Sequence, residues 1–286
     1  GDEVIVGVNG VFGTRMAEVA ARCGARVTKI EAEWGRIIEP AQVAEALQKT
    51  RPKLVAIVHA ETSTGALTPI EEISRLVHDA GALLLIDTVT SLGGCPVDID
   101  GWKVDAVYSG TQKCLSCPPG LAPVSLSPRA LEIATSRKTK VQSWYLDVNL
   151  LSSYWGEERV YHHTAPITMN YALHEGLRLA LTEGLQNRWN RHRENHELLK
   201  AGLKELGLGL ASQEGHQLWQ LNAVTVPAGA DEAAVRKRLL AEFNIEVGAG
   251  LGPLKGKVWR VGLMGETSTR ANVEKFLAAL TQILKS

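Results

Sequence analysis

Short apolar segments alternate with amphipathic segments along the first half of the chain, and this alternation constrains the fold more than any other feature. EVIVGV (3–8), KLVAIVHA (53–60) and ALLLI (82–86) each have the length of one strand and are apolar almost throughout. Two further strand-like segments, DAVYSG (105–110) and APVSLS (122–127), follow. Apolar strands that alternate with helices predict a mostly parallel sheet with helices on both faces, an α/β fold.

The clearest helix signal is TPIEEISRLVHDAG (68–81). Thr68 and Glu71 have the spacing of a capping box, and Pro69 suits the first helical position. Gly81 suits the end of the helix. Apolar residues recur at every third or fourth position, which predicts that this helix covers one face of the sheet.

The pattern of the sequence changes after about residue 165. Two long helical segments lead into a shorter pattern of strand, helix, two strands and a final helix, which is typical of a small α+β domain. We therefore predict a large domain at residues 1–183 and a smaller C-terminal α+β domain at residues 184–286.

Composition argues against several classes of partner. Lys and Arg total 31, as do Asp and Glu, so the overall charge does not favour nucleic acid or an acidic membrane surface. The longest apolar runs are too short to span a bilayer. The sequence as given opens without a secretory leader, and its four cysteines do not form a disulfide scaffold, so we expect a cytoplasmic protein.

Polar residues follow three of the predicted strands at the points where the strands end. Asp87 ends one strand, Lys113 follows another 26 positions later, and a Thr/Ser/Gly turn at 62–65 follows a third. Ligands of open parallel sheets bind at these strand ends. A lysine and an aspartate so placed suit pyridoxal phosphate (PLP), since the amine forms a Schiff base and the carboxylate keeps the pyridine nitrogen protonated. The same residues also suit a nucleotide-binding fold with an ordinary solvated lysine.

A set of motifs in fixed order favours the first interpretation. These are ETSTG followed by PI, LLLIDTVTSLGG, VDAVYSGTQKCLSCPPGL, SRKTK, YHHT and KVWRVGLMGE. Together they resemble the class V, fold-type I PLP aminotransferases over the whole chain, especially the alanine–glyoxylate and serine–pyruvate members. The resemblance implies a fold-type I large domain, PLP as the cofactor, and small amino acids and 2-oxo acids as substrates.

The resemblance also implies roles for individual residues in holding the cofactor. Lys113 matches the Schiff-base lysine, Asp87 the partner of the pyridine nitrogen, and Val89 an apolar contact under the ring. Phe12 falls where animal members carry a tryptophan that stacks on the ring. Two more residues match cofactor contacts: Thr62, near the ring and its phosphate, and Gln112, at the phosphate.

For three further residues, the resemblance implies contacts to the substrate or to a second chain. Tyr161 and Thr164 match phosphate contacts that reach across a dimer interface, so the resemblance implies a homodimer with shared active sites. Arg260 matches the guanidinium that binds the substrate carboxylate, for which its planar fork is suited. Without the resemblance, a surface salt bridge would be the better interpretation of Arg260.

The resemblance implies an aminotransferase that moves the amino group of alanine or serine to glyoxylate or pyruvate by a ping-pong mechanism. Alternatives are another class V activity, such as 3-hydroxykynurenine transaminase, pyridoxamine–pyruvate aminotransferase or a lyase, and a truncated inactive paralogue. Members of this family begin upstream of the position that matches Gly1, and that part binds the cofactor phosphate. We therefore expect either a fragment or processed chain, or a protein that lacks half of its phosphate site.

Several conspicuous residues are better explained by structural roles than by catalysis or metal binding. Cys114 and Cys117 lack the further ligands that a zinc site requires, and we predict no metal site. If the adjacent residues His162 and His163 lie on a strand, they point to opposite faces and cannot chelate one ion, so we expect hydrogen-bonding roles for them. His59 is as well explained as a satisfied core residue as it is by a substrate contact. We interpret the tryptophans, including Trp144, Trp155 and Trp219, as core or dimer contacts.

Overall fold

A six-stranded sheet forms the centre of the chain in the computed structural model, which describes residues 1–285. The strand order is β2-β1-β3-β6-β7-β8, and all neighbours are parallel except β7 and β8. Its strands are β1 (Glu3–Val8), β2 (Arg26–Glu31), β3 (Leu54–Val58), β6 (Leu83–Asp87), β7 (Ala106–Tyr108) and β8 (Val124–Leu126). A small antiparallel pair, β4 (Ala60–Glu61) and β5 (Ala66–Leu67), follows β3. The prediction of a mostly parallel α/β sheet is confirmed, with an antiparallel strand at one edge.

Three helices connect the first strands and cover both faces of this sheet. They are α1 (Val11–Arg22), α2 (Pro40–Lys49) and α3 (Glu71–Asp79). Ile5 and Ile57 pack with the buried faces of α2 and α3. Val6 and Val58, which point to the opposite face, pack with α1. Successive strand residues therefore enter different cores, which explains why these strands are apolar throughout.

The predicted capping box of α3 was wrong. The helix begins at Glu71, its N-cap residue is Ile70, and no side chain caps it. Thr68 is fully buried, and its hydroxyl accepts a hydrogen bond from Ile38 N–H at 3.5 Å instead. The Thr68 hydroxyl therefore binds the segment around Ile38 and does not cap the helix. Gly81 has the positive φ (75°) expected after a helix end.

The rest of the chain forms further helices and a second sheet. The helices are α4 (Pro128–Thr135), α5 (Val148–Trp155), α6 (Ile167–Glu183), α7 (Leu185–Glu205), α8 (Glu232–Phe243) and α9 (Arg270–Lys285). The antiparallel sheet has the order β10-β11-β9, with β9 (Leu221–Thr225), β10 (Gly248–Ala249) and β11 (Val258–Gly262). Trp259 lies at the centre of its core and donates a hydrogen bond to Glu232 O. The predicted domain boundary falls at Gly184, between α6 and α7, and stays a prediction.

Within residues 1–285, no helix combines the length and the apolar composition that are needed to cross a membrane.

Candidate active site

A cleft of about 1100 Å³ runs along the α1 face of the large sheet to the carboxyl ends of its strands. The strand register pairs Val58 with Asp87 and Asp87 with Tyr108, so β3, β6 and β7 end at the same level. This is the edge at which the sequence predicts the site. Six of the predicted residues line the cleft: Phe12, Thr62, Asp87, Val89, Gln112 and Lys113.

Asp87 is the buried carboxylate of the cleft, with 5% of its surface exposed. Its Oδ1 accepts a hydrogen bond from Val89 N–H at 2.8 Å, and its Oδ2 accepts one from the Tyr108 hydroxyl at 2.7 Å. Burial raises the pKa of Asp87, while these two hydrogen bonds and the positive charge of Arg15 lower it. The two hydrogen bonds fix the orientation of the carboxylate and favour its ionised form.

Lys113 is half-buried in a tight turn that follows β7. The turn is closed by the hydrogen bond from Cys117 N–H to Thr111 O at 3.0 Å. Burial lowers the pKa of Lys113, and the neighbouring charge of Arg260 lowers it further, while Asp87 acts in the opposite sense. A lowered pKa increases the fraction of neutral amine, the form in which a lysine is a nucleophile.

Arg260 lies on β11 and reaches toward the cleft from the second sheet. Its Nε donates to Ala249 O at 2.7 Å, and its Nη1 donates to Thr62 O at 3.5 Å. Among residues 1–285, no carboxylate forms an ion pair with this guanidinium, so the alternative of a surface salt bridge was wrong. The structure thus brings a guanidinium that forms no ion pair close to the amine of Lys113, while the charge of the buried Glu61 also acts on this guanidinium.

Two charged residues of the site were not predicted. The guanidinium of Arg15 lies 5.1 Å from the centre of the Phe12 ring, and Arg15 also lines the cleft. Glu61 is fully buried beside the first turn of α1. Its Oε2 accepts from Phe12 N–H at 3.1 Å and Gly13 N–H at 3.2 Å, and Oε1 accepts from Ser63 N–H at 3.1 Å. Glu61 therefore ties the helix that carries Phe12 to the turn that carries Thr62.

Tyr161 and Thr164 do not line the cleft of their own chain. The Tyr161 hydroxyl lies 3.1 Å from Thr164 Oγ1, and Tyr161 is 73% exposed. The neighbouring histidines are not on a strand, so the argument from opposite strand faces does not apply, and the expected hydrogen-bonding role is confirmed. Since the segment is irregular, His162 Nδ1 and His163 Nδ1 lie 2.8 Å from each other.

The remaining conspicuous residues lie outside the polar part of the cleft. Cys114 and Cys117 are buried, and burial raises the pKa of Cys114 to about 12. In the part of the chain that is described, no three His, Cys, Asp or Glu side chains come together as metal ligands would. His59 is a satisfied core residue, since it is buried and its Nδ1 lies 2.9 Å from Ser91 Oγ. The core alternative was wrong for Trp144 and Trp155, which are exposed.

The residues of the cleft fit PLP. Lys113 offers a half-buried amine for the aldehyde, and Asp87 offers a fixed carboxylate for the pyridine nitrogen. Phe12 offers an aromatic face, while Thr62 and Gln112 offer polar groups for the ring and the phosphate.

Comparison with protein families gives an independent view of the chain. Residues 1–276 match the model of the family Aminotransferase class-V. An alanine–glyoxylate aminotransferase of Callithrix jacchus is 42% identical over 100% of this chain and 70% of its own length. An (S)-ureidoglycine–glyoxylate transaminase of Bacillus subtilis is 40% identical over 99% of this chain and 72% of its own length.

Solved structures give the same result. An alanine–glyoxylate aminotransferase from Nostoc sp. superposes with a TM-score of 0.97 at 51% identity, covering 99% of this chain and 75% of that one. A pyridoxamine–pyruvate aminotransferase from Mesorhizobium loti superposes with a TM-score of 0.93 at 28% identity, covering 99% and 73%.

Proposed function

Since this chain belongs to the class V aminotransferase family, we propose that it transfers the amino group of alanine or serine to glyoxylate or pyruvate by a ping-pong mechanism. The family is PLP-dependent. The amino-group transfer follows from the family, and the choice of substrates is the proposal.

The cofactor, when bound, supplies an aldehyde that takes up the amino group and a ring that accepts electrons. Asp87 would hold the proton on the ring nitrogen, because its carboxylate is buried and oriented by two hydrogen bonds. Phe12 would pack on the ring, and Val89 would contact its other face. Thr62 would lie near the ring and its phosphate, and Gln112 would contact the phosphate.

Lys113 would act as both nucleophile and proton carrier. Its Nζ would take the proton from Cα of the amino donor and pass it on to the cofactor within the same half-reaction. In the second half-reaction it would move a proton in the reverse direction, to the carbon that was the carbonyl carbon of the oxo acid. Burial and the charge of Arg260 support this role, because both lower the pKa of the amine.

The observation that carries the proposal is the position of Arg260 beside Lys113, with no ion pair to a carboxylate among residues 1–285. Both substrates of an aminotransferase carry a carboxylate next to the reacting carbon. One guanidinium can therefore hold the amino donor in the first half-reaction and the oxo acid in the second. A small acceptor needs no other charged anchor.

We further propose that the protein is a homodimer in which Tyr161 and Thr164 complete the site of the second copy. The residues from about 144 to 185 expose an unusual number of large apolar and aromatic side chains. These include Trp144, Trp155, Tyr161, Tyr171 and Leu181. A second copy would cover them and would bring Tyr161 and Thr164 to a phosphate site.

A donor and acceptor panel tests the proposed substrates. The full-length protein is incubated with PLP, then with alanine, serine, ureidoglycine or pyridoxamine as donor and glyoxylate or pyruvate as acceptor. Ureidoglycine and pyridoxamine are included because relatives named for these donors are 40% and 28% identical. We expect the fastest turnover with alanine or serine, and a visible absorbance that borohydride abolishes.

The matched variants are Lys113→Ala and, as control, Lys237→Ala at an exposed position of α8. Only the first should abolish both the borohydride-sensitive absorbance and turnover. Faster turnover with ureidoglycine or pyridoxamine would reject the proposed donors. A wild-type protein that binds PLP without transaminating any of the four would favour the lyase or inactive alternatives.

A further inference from the structure

Helix α7 buries a polar face, and Arg188 is its most deeply buried charge. Arg188 is 1% exposed, and the residues one and two turns further along the same face, His192 and Asn195, are buried as well. Burying a guanidinium is costly unless its donors are paired, and removing one partner of a buried ion pair is destabilising because the other partner loses its counter-charge. The partners of Arg188 therefore indicate what it does.

One of these partners belongs to the turn of the proposed catalytic lysine. Arg188 Nη2 donates to the carbonyl of Cys114, the residue directly after Lys113, at 2.6 Å. Arg188 Nη1 donates to Glu183 at 2.6 Å and to Glu266 at 3.1 Å. The guanidinium thus connects the end of α6, the lysine turn and the loop after β11.

The lysine turn depends on such contacts because it belongs to no helix or strand. Inside the turn, Ser116 N–H donates to Lys113 O at 2.9 Å. The carbonyl of Cys114 is buried, and a buried carbonyl without a donor is unfavourable. The hydrogen bond from Arg188 satisfies this group and fixes the backbone next to Lys113.

The same cluster connects the lysine turn to the strand that carries Arg260. Glu266 lies six positions after Arg260, and its N–H donates to Ser116 Oγ at 2.9 Å. The Glu266 carboxylate accepts a hydrogen bond from Arg188 Nη1. Two contacts therefore fix the distance between the lysine turn and the loop that follows β11.

We propose that Arg188 is a positioning residue that sets Lys113 relative to Arg260 through the carbonyl of Cys114. This inference rests on the proposed function, because it assumes that Lys113 and Arg260 act on the same substrate. Arg188 touches neither the cleft nor a reacting atom, so its effect is on the placement of the amine.

The Arg188→Met variant isolates this role, because Glu183 and Glu266 still have other hydrogen-bond partners when the guanidinium is removed. Glu183 retains two hydrogen bonds from Arg191, at 2.6 and 3.0 Å. Glu266 is 61% exposed on its side chain and can be hydrated. Of the three groups that accept hydrogen bonds from Arg188, the Cys114 carbonyl is the one that stays buried and loses its side-chain donor in Arg188→Met.

The experiment compares Arg188→Met, Arg188→Lys and wild type in the full-length protein, with Arg193→Met on the exposed face of α7 as control. For Arg188→Met we expect kcat to fall about a hundredfold, the loss that a displacement of about 1 Å produces. KM for donor and acceptor should stay within about twofold, since Arg260 is unchanged. Arg188→Lys, which can still donate to the carbonyl, should recover part of kcat. Arg193→Met should behave as wild type.

Amide hydrogen exchange of the protein without PLP gives a readout that does not depend on turnover. Exchange at residues 111–117 should accelerate in Arg188→Met and stay unchanged in Arg193→Met. A kcat within about twofold of wild type, unchanged exchange at 111–117, or acceleration spread evenly over the chain would overturn the inference. If Arg188→Met does not fold, Arg188→Lys must show both a lower kcat and faster exchange at residues 111–117, or the inference fails. Failure of the proposed function is distinct, because it would appear in the wild type itself, as inactivity or as faster turnover with ureidoglycine or pyridoxamine.

Discussion

The Tyr108 hydroxyl donates a hydrogen bond of 2.7 Å to Oδ2 of Asp87, its direct neighbour in the parallel sheet. Asp87 Oδ1 is bound by Val89 N–H, so both carboxylate oxygens are oriented by the strand ends themselves. Burial, and then the charge of Asp87, raises the pKa of Tyr108. Tyr108 therefore stays protonated as a donor throughout the range in which an enzyme is assayed.

Tyr108→Phe removes this donor and keeps the ring. Hydrogen bonds to charged groups contribute about 1.5–3 kcal/mol. We expect PLP affinity to fall by about tenfold or more, because the neutral form of Asp87 becomes more favourable. Equilibrium dialysis with PLP measures this, and Lys237→Ala, at an exposed position of α8, is the control. Equal affinities for Tyr108→Phe and wild type would show that Val89 N–H alone orients Asp87.

Glu61→Gln should destabilise the protein although the side chain keeps its shape. The groups around the carboxylate are all donors: three backbone N–H groups and the hydroxyl of Ser63, 2.5 Å from Oε1. A glutamine would turn its NH₂ group toward N–H donors and leave buried groups unpaired. We expect the free energy of unfolding to fall by about 3 kcal/mol, measured by urea denaturation. The exposed Glu205→Gln is the control, and a similar small change in both variants would contradict the prediction.

Arg260→Lys should raise KM for donor and acceptor together. A lysine keeps the positive charge but cannot form the paired hydrogen bonds of a guanidinium with a carboxylate. We expect both KM values to rise about tenfold to a hundredfold, as the loss of about 1.5–3 kcal/mol implies. Steady-state kinetics with each substrate varied in turn measure the effect, with Arg270→Lys as control. A rise in only one KM would show that the two substrates use different anchors.

His59 should make the protein less stable in mild acid. Burial lowers the pKa of His59 from 6.5 to about 4. Between these pH values the unfolded chain binds a proton that the folded chain does not, so the stability falls as the pH falls. The loss for this group approaches about 3 kcal/mol near pH 4.

Urea denaturation of wild type and His59→Gln at several pH values tests this. The stability difference between the two proteins should change by about that amount between pH 7 and pH 4. Glu61 and Asp87, whose raised pKa values act in the opposite direction, are common to both proteins and cancel. His192, with a pKa also lowered to about 4, cancels as well. A difference that is independent of pH would contradict the prediction.

Mixing two inactive variants tests whether the sites are shared. One variant carries Lys113→Ala, and the other carries Tyr161→Phe with Thr164→Ala. In a shared-site dimer, the mixed species has one site with an intact lysine and intact residues from the other chain. Random reassociation should therefore restore about a quarter of wild-type activity. No recovery after subunit exchange, or full activity of the double variant alone, would argue against Tyr161 and Thr164 acting across an interface.

Much of the large domain could be predicted because its signals are local. A strand between two cores is apolar at every position, and the end of such a strand is visible as the first polar residue. This predicted that Asp87 and Lys113 would lie at one edge of the sheet, although 26 positions separate them. The prediction of a capping box at Thr68 was wrong for the opposite reason. The spacing of Thr68 and Glu71 was correct, but the Thr68 hydroxyl accepts a hydrogen bond from Ile38 N–H, a residue 30 positions away.

Residues that are neighbours along the chain specify the α/β architecture and place the amine and the carboxylate of the candidate site, because periodicity and strand ends are local features. The groups that support this amine and carboxylate come together only in the folded chain. Glu61 binds backbone groups 48 and 49 positions away, and Arg188 binds Cys114 across 74 positions. A buried polar side chain is stabilised by whichever donor or acceptor the fold brings to it, and no spacing along the chain specifies that partner.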